Sequence, residues 1–402
     1  MELRDRGHDV VVAASERYRS AALASGLGFA AVRPDRVEGL QEPDFLDRVW
    51  RDRQRPAHVF REMFLPSLRD SLSDLLGMVG RADVVVSHTL TPAAPLAAEA
   101  RGVPWVSAVM QPMGFLSAYD APAVGSVWAG VVLRAAGPSL TRPVLRLARR
   151  LTAAWMGEWH QLRAELGLPR ANVHPLWEGQ HAPGRALGLF PRVLGEPQPD
   201  WPPQARVTGF PYHRPLGATL AAEIEDFMGD GEPPIVFTLG TTAVNDPGGF
   251  FEESAAAAHR LGRRALLLVG ERERWGTGAG GRVLAAPYAP HHLVFPRAAA
   301  IVHQGGIGTL SESLLAGKPM LIVPYAHDQF DNAWRAERLG VAGLLGRRHY
   351  REATVSRALA RLLDDRAAAR AARLVGQTVA RERGAGTAAD MIEDVLRRGS
   401  VQ

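Results

Sequence analysis

The chain has 402 residues, 46% hydrophobic and 22% charged, with a formal net charge of +5 carried almost wholly by dispersed arginine. That length holds two ordinary domains and a large core, and dispersed charge describes a solvated surface, so no nucleic-acid partner is expected. No run of about eighteen apolar residues marks a membrane span, no apolar leader core follows Met1, and the lack of cysteine excludes disulfides and thiolate chemistry, so the expectation is a cytoplasmic protein.

Residues Met1 to Gly7 read as a helix end with a glycine cap, followed by a predicted strand over Asp9–Ala14. A helix over Glu16–Ala24, a strand near Phe29–Val32 and helical patterns between Phe45 and Gly77 come next. Asp83–Ser87 reads as a buried strand ending in His88-Thr89-Leu90-Thr91-Pro92, then a helix to Arg101 and a strand over Pro104–Val109. Strands alternating with helices predict a parallel sheet with crossovers. Ligands of such sheets sit beyond the carboxyl ends of the strands, which singles out His88 and Gln111. A strand-end histidine bonded to backbone is the plain alternative for His88.

The loop Gln111–Pro122 carries Phe115 and Tyr119, and the helical run to Leu166 carries Trp155 and Trp159. These aromatics suit an apolar small-molecule cleft and equally suit a core. Within the run, Arg142, Arg146, Arg149 and Arg150 alternate with Val144, Leu145, Leu147 and Leu151. Such a basic amphipathic helix packs on its own domain or touches an anionic membrane surface or an apolar acceptor. Leu187–Phe190 reads as the last strand of the first domain, and the proline- and glycine-rich Gly195–Pro215 as a connector.

The second half opens with a strand over Ile235–Leu239 running into the polar turn Gly240-Thr241-Thr242. A helix over Phe250–Leu261 and strands over Ala265–Val269 and Val283–Ala286 follow, and the chain is helical from Tyr350 onward. Between them lies the stretch Ile301–Asn332, where an apolar run enters His303-Gln304-Gly305-Gly306-Ile307-Gly308 and a helix over Thr309–Ala316. Glycines there let successive amides converge at a positive helix N-terminus, a cradle for a diphosphate, although glycine clusters also make ordinary strand-to-helix turns. A dinucleotide fingerprint needs glycine where Ser311 stands, and Gly317-Lys318-Pro319 follows the helix rather than opening it, so neither that fingerprint nor a Walker loop is present.

With Tyr288-Ala289-Pro290-His291 upstream and His327-Asp328-Gln329 downstream, the stretch resembles the signature of the inverting GT-B glycosyltransferases of the UDP-glucosyltransferase type (family 1), whose bacterial members glycosylate sterols, antibiotics and other natural products. The resemblance covers nearly the whole chain and is strongest from Ile235 to Gly340. It implies an α/β fold of two Rossmann-like doubly wound domains facing a cleft. An acceptor domain over residues 1–210 and a donor domain over 211–377 are expected, with a last helix over 378–402 packing back on the first. It also implies a first strand, loop and partial helix, about twenty residues, upstream of Met1, in the loop that carries the family's catalytic base.

By that resemblance Tyr288 stacks on the base and His291 reads its edge. Either His303 or Gln304 meets the pyrophosphate, with His303 preferred, and Gly305, Gly306 and Gly308 form the turn. Thr241 and Thr309 offer hydroxyls to the phosphates, Glu312 accepts from both ribose hydroxyls, and Asp328 and Gln329 hold the sugar with Asn332 following. A carboxylate offers only acceptors, which suits a diol. Singly, Glu312 reads as a helix-surface charge, Asp328 as an N-cap and Tyr288 as a core edge. His88 lies near the place of an aspartate that pairs with the family's catalytic histidine, so it is the catalytic candidate, to orient or to replace a base. Gln111, Phe115, Tyr119, Trp155 and Trp159 are the acceptor-side candidates.

The implied activity is transfer of a hexose, glucose first, from a nucleoside-diphosphate sugar to a hydroxyl of a small, largely apolar natural-product, sterol or lipid-like acceptor. UDP-glucose is the first donor expected and a dTDP-deoxysugar the second. No cofactor and no metal is expected, because helix-terminal amides serve the leaving group instead. The alternatives are a nucleotide-sugar-binding protein, inactive or partner-dependent, and a nucleotide-sugar epimerase of the same fold.

Overall fold

The computed structural model describes residues 1–34, 65–215, 217–244, 246–270 and 281–399. The predicted helical pattern from Phe45 lies outside them as far as residue 64. The chain divides into two compact units, one of Met1–Pro122, Gly130–Pro211 and Arg383–Gln402, the other of Ala123–Ala129 and Tyr212–Glu382. Among the described residues no helix is long and apolar enough to cross a membrane.

In the first unit β1 (Val11–Ala14) pairs in parallel with β2 (Gly28–Ala31), while β3 (Val85–His88), β4 (Trp105–Val109), β5 (Ala186–Gly188) and β6 (Ala205–Val207) form a second parallel sheet in that order. Four of the five β4 residues are buried, as a parallel strand covered on both faces requires. The helices Leu68–Val79 and Ala93–Ala100 form a core with Trp159 and Leu162. Ala388 and Ile392 of the last helix, Gly384–Gly399, pack on Val106 and Leu187. Arg6 and His8 reach Asp390 and Glu393 of the same helix, and Arg185 reaches Asp394. Solvent and salt screen such exposed pairs, so the apolar face rather than the ion pairs holds the helix in place.

The predicted connector Gly195–Pro215 is corrected in its middle. It contains β6, which becomes the last strand of this unit, and Trp201, which is buried and stacks on Phe115 at 4.0 Å. Pro202 and Pro203 precede the ladder and so remove no donor from it, which is why a proline-rich stretch still ends in a strand. The helical run of Val127–Ala153 is interrupted at Gly137, whose φ of +74° breaks the helix before Pro138 restarts it. Its second half leaves Leu140, Val144, Leu147 and Leu151 exposed, so that stripe is not packed on its own unit.

The second unit holds one six-stranded parallel sheet in the order β12-β11-β10-β7-β8-β9, from β7 (Ile235–Thr238), β8 (Ala265–Leu268), β9 (Val283–Ala286), β10 (Ala300–His303), β11 (Met320–Ile322) and β12 (Ala342–Leu344). The chain winds outward from β7 in one direction and from β10 in the other. Their boundary is therefore the switch point at which an open parallel sheet leaves a crevice beyond its strand ends.

Helix Gly384–Gly399 begins against the chain: a Cβ on Gly384 would lie 2.3 Å from the Phe210 carbonyl oxygen, whereas one on Gly386 would meet only the flexible ends of Arg383 and Glu2. Gly384→Ala is expected to lower stability by about 1–3 kcal/mol. Gly386→Ala is expected to be neutral or stabilising, and thermal and urea melts of the two variants check the contrast.

Candidate active site

Gly240 leaves β7 with φ +63°, and a side chain there would strike Gln304, since an added Cβ would lie 2.3 Å from its Nε2. The turn after β10 thus places the Gln304 amide directly against the turn after β7, at the switch point. Gly305 takes φ +90°, and an added Cβ would lie 2.9 Å from Ile322 and 3.1 Å from the Gln329 carbonyl oxygen. Only glycine meets both demands. The helix Ile307–Ala316 opens with no side-chain cap, and its first bond to the turn is Leu310 N–H to the Gly306 carbonyl, 2.9 Å. The amides of the first helical turn are those that a helix leaves for an anion.

The loop after β11 closes on this turn. Asn332, wholly buried, donates from Nδ2 to the Gly305 carbonyl (3.0 Å) and to Asp328 Oδ2 (2.7 Å). Gln329 Oε1 accepts from the backbone N–H groups of Tyr325 and Ala326 at 2.8 and 3.0 Å, so its carbonyl oxygen staples the loop. Burial pushes the Asp328 carboxyl up to about 6, against the opposing effect of Asn332. Asp331, wholly buried, accepts from the Ala123 N–H at 3.0 Å and pairs with Arg335 at 2.6 Å.

His303 and Gln304 occupy successive positions, and side chains at successive positions point to opposite faces. His303 ends the fully buried strand β10: its Nδ1 accepts from the Gly305 N–H at 3.0 Å, its Nε2 lies 3.4 Å from Met320 Sδ, and burial pushes its pKa down to about 3. The expectation that His303 meets the pyrophosphate is therefore corrected: a neutral, enclosed ring orients the turn from beneath. Gln304 takes the facing position, and its Oε1 is buried without a hydrogen-bond partner.

Tyr288 follows β9 and is 69% exposed, so it is not a core edge. His291 opens the short helix His291–Val294, stacks on Phe295 at 4.4 Å and is held neutral, its pKa pushed down by burial to about 4. Thr309 is buried in the first turn of its helix, and Gly308 has open space where a Cβ would stand. Thr241 lies in the short helix Gly240–Ala243, its side chain outside the described part. Glu312 is not a free surface charge. Arg214 grips it with both fork nitrogens, Nη1 to Oε1 at 2.6 Å and Nη2 to Oε2 at 2.9 Å. Arg214 lay unnoticed inside the predicted connector, and no periodicity marks it.

In the first unit two of the aromatic candidates prove to be core. Phe115 is buried between Trp201 and His181, and Trp159 is buried with its indole N–H donating to the Pro92 carbonyl at 2.9 Å. The reason for Phe115 is a pinned loop, since Asp200 accepts from the Ser117 hydroxyl and from the Ala118 N–H. Tyr119 is exposed, with its hydroxyl accepting from Arg142 at 2.7 Å, while Gln111 and Trp155 are half-buried. His88 stands at the end of β3, where its Nδ1 accepts from the Leu90 N–H at 3.1 Å and burial lowers its pKa. With Nδ1 engaged, the neutral ring carries its proton on Nε2 and lacks the free lone pair a general base needs. The reading of His88 as base is corrected on that ground. Among the described residues no cluster of three or more His, Asp or Glu side chains converges on a metal position.

Comparison with known proteins agrees with this geometry. Residues 270–393 match the family described as erythromycin biosynthesis protein CIII-like, C-terminal domain. The O-mycaminosyltylonolide 6-deoxyallosyltransferase of Streptomyces fradiae is 34% identical over 98% of this chain and 92% of its own length. Among solved structures, CalG4, the calicheamicin glycosyltransferase, superposes with a TM-score of 0.72 at 19% identity, covering 99% of this chain and 93% of that one. The glycosyltransferase VinC in complex with dTDP superposes with a TM-score of 0.67 at 20% identity, covering 99% and 94%. The chain belongs to the family 1 GT-B glycosyltransferases of natural-product type, which transfer a sugar from a nucleotide sugar.

The raised Asp328 carboxyl has a stability consequence with a definite sign. Between the ordinary aspartate value near 4 and about 6 the folded protein holds a proton that the unfolded chain has released, so this group's contribution falls as pH rises through that window. Above pH 6 the buried charge costs on the order of 2–3 kcal/mol. Asp328→Asn is expected to melt higher than the parent at pH 7.5 and to lose that advantage below pH 4, which a pH series of thermal melts checks.

Proposed function

We propose that the protein moves a hexose from a nucleoside-diphosphate sugar to a hydroxyl of a small, largely apolar natural-product acceptor, with inversion at the anomeric carbon. The observation that carries the reading is the meeting of two turns at the β7–β10 switch point, where Gly240 after β7 and the Gln304 amide after β10 come together at the start of the helix Ile307–Ala316. First-turn amides and the Gln304 NH2 stabilise the charge that grows on the departing diphosphate, so no metal is required. Tyr288 stacks on the base, Thr309 and Glu312 meet phosphate and ribose, and Asp328 with the Gln329 NH2 holds the sugar hydroxyls. On this assignment the Asp328 carboxylate accepts from the sugar, so turnover falls as pH drops below about 6.

For the donor, the Asp-Gln pair supports UDP-glucose, while the name of the Streptomyces fradiae relative supports a 6-deoxyhexose, and the dTDP of the VinC structure supports thymidine as its base. We favour the dTDP-6-deoxyhexose. An acceptor of the macrolide aglycone kind fits the same relative, and the cytoplasm fits a nucleotide-sugar substrate.

Turnover is tested by incubating the protein with each donor and a panel of hydroxylated macrolide aglycones, with product stereochemistry read by NMR. Expected outcomes are glycoside formation with inverted configuration and no loss of rate in EDTA; loss of turnover in EDTA contradicts the scheme. Tyr288→Ala is expected to weaken nucleoside-diphosphate binding by about 1–2 kcal/mol, roughly tenfold, without lowering the melting point. Calorimetric titration checks it. Tight donor binding with no transfer to any acceptor would favour the binding-protein alternative.

A further inference from the structure

The carboxylate expected to hold the ribose is already occupied. Glu312 sits one helical turn beyond Thr309, and Arg214 engages both its oxygens through a paired fork. The fork is itself fixed. The Arg214 guanidinium lies over the Tyr212 ring at 5.0 Å, and the Tyr212 hydroxyl donates to the Ser311 carbonyl at 3.0 Å, on the same helix as Glu312. Glu312 is largely buried (14% side-chain exposure), whereas Arg214 is more open (36%).

We propose that Arg214 is a specificity-determining residue that makes the site select a 2′-deoxyribonucleoside diphosphate over a ribonucleoside diphosphate. The inference rests on the donor site described under the proposed function and deepens it. A carboxylate receives a vicinal diol by presenting two oxygens side by side, one to each hydroxyl. That pair of convergent lone-pair directions is the one a guanidinium fork uses. With the fork in place, Glu312 keeps one outward lone pair on each oxygen, and because the two diverge a vicinal diol can reach only one of them. A 2′-deoxyribose asks for one bond, to its 3′-hydroxyl, and binds with the Arg214–Glu312 pair intact. A ribose brings a second hydroxyl whose partner is taken, so either that hydroxyl is desolvated unpaired or the ion pair breaks. Both cost affinity.

The bases must be kept out of the comparison, so the probes are UDP and dUDP, which differ only at the 2′ position, with dTDP as a third arm. Each is titrated calorimetrically into the parent protein, Arg214→Ala and Arg214→Lys, with thermal melts confirming that the variants are folded. In the parent, dUDP is expected to bind several-fold more tightly than UDP, because only the ribose brings a hydroxyl whose partner is taken. In Arg214→Ala, with both Glu312 oxygens released, UDP is expected to gain about tenfold relative to dUDP, the size of one hydrogen bond to a charged group. Arg214→Lys, which keeps the charge and loses the fork, is expected to lie between. A purely structural role for Arg214 would weaken both ligands together and leave their ratio unchanged, and that result overturns the proposal. A parent protein that binds UDP as tightly as dUDP, or more tightly, overturns it as well. Failure of every nucleoside diphosphate to bind the parent sinks the donor-site reading itself and this inference with it, which separates the two failures.

Discussion

The donor-side geometry depends on one buried amide. Asn332 spends both hydrogens of its NH2 group holding two loops together, one on the Gly305 carbonyl and one on Asp328. Without that link the glycine turn would carry a buried, unpaired carbonyl, which costs roughly 1–3 kcal/mol. Asp328 would also lose the main contact that favours its charge. Gly305 at φ +90° and Ile322 at 2.9 Å from any Cβ there show why the joint tolerates no bulk. The result is a turn whose shape is set from below by His303 and from the side by Asn332, with its open edge left to the Gln304 amide and the first-turn amides of the following helix.

Much of this was legible from residues 301–332, and the reason is local: glycine spacing, the strand before it and the Asp-Gln pair after it are read along the chain. The strands β7, β8 and β9 fall within two residues of the expected ones for the same reason. What sequence reading missed was a matter of facing or of distance. Whether His303 or Gln304 meets the ligand turns on which side of a pleated strand each lies, and a register uncertain by one residue exchanges the two. Phe115 and Trp159 look like cleft aromatics until Asp200 and the Pro92 carbonyl are seen to pin them in the core. Arg214 is 98 residues from Glu312 in the chain, and nothing in its neighbours announces the pair. β6 was hidden by the prolines that precede it, although a proline before a ladder takes nothing from it.

The charges of the site oppose its stability, as is common where binding needs unpaired groups. Asp328 is buried with a raised carboxyl, the Gln304 carbonyl is buried unpartnered, and the helix N-terminus lacks a side-chain cap. Each is a defect by the rules of a resting core, and each is the kind of group a binding site leaves unsatisfied. The Arg214–Glu312 pair is the exception, since each partner already satisfies the other.

The measurement that tests the account most directly is amide hydrogen exchange at Gly308 and Thr309 with thymidine diphosphate and with thymidine. The account predicts that the diphosphate slows exchange at these amides while the nucleoside alone leaves them as fast as in the free protein. Equal exchange with and without the diphosphate, at a concentration shown to saturate binding, would place the phosphates elsewhere and contradict it.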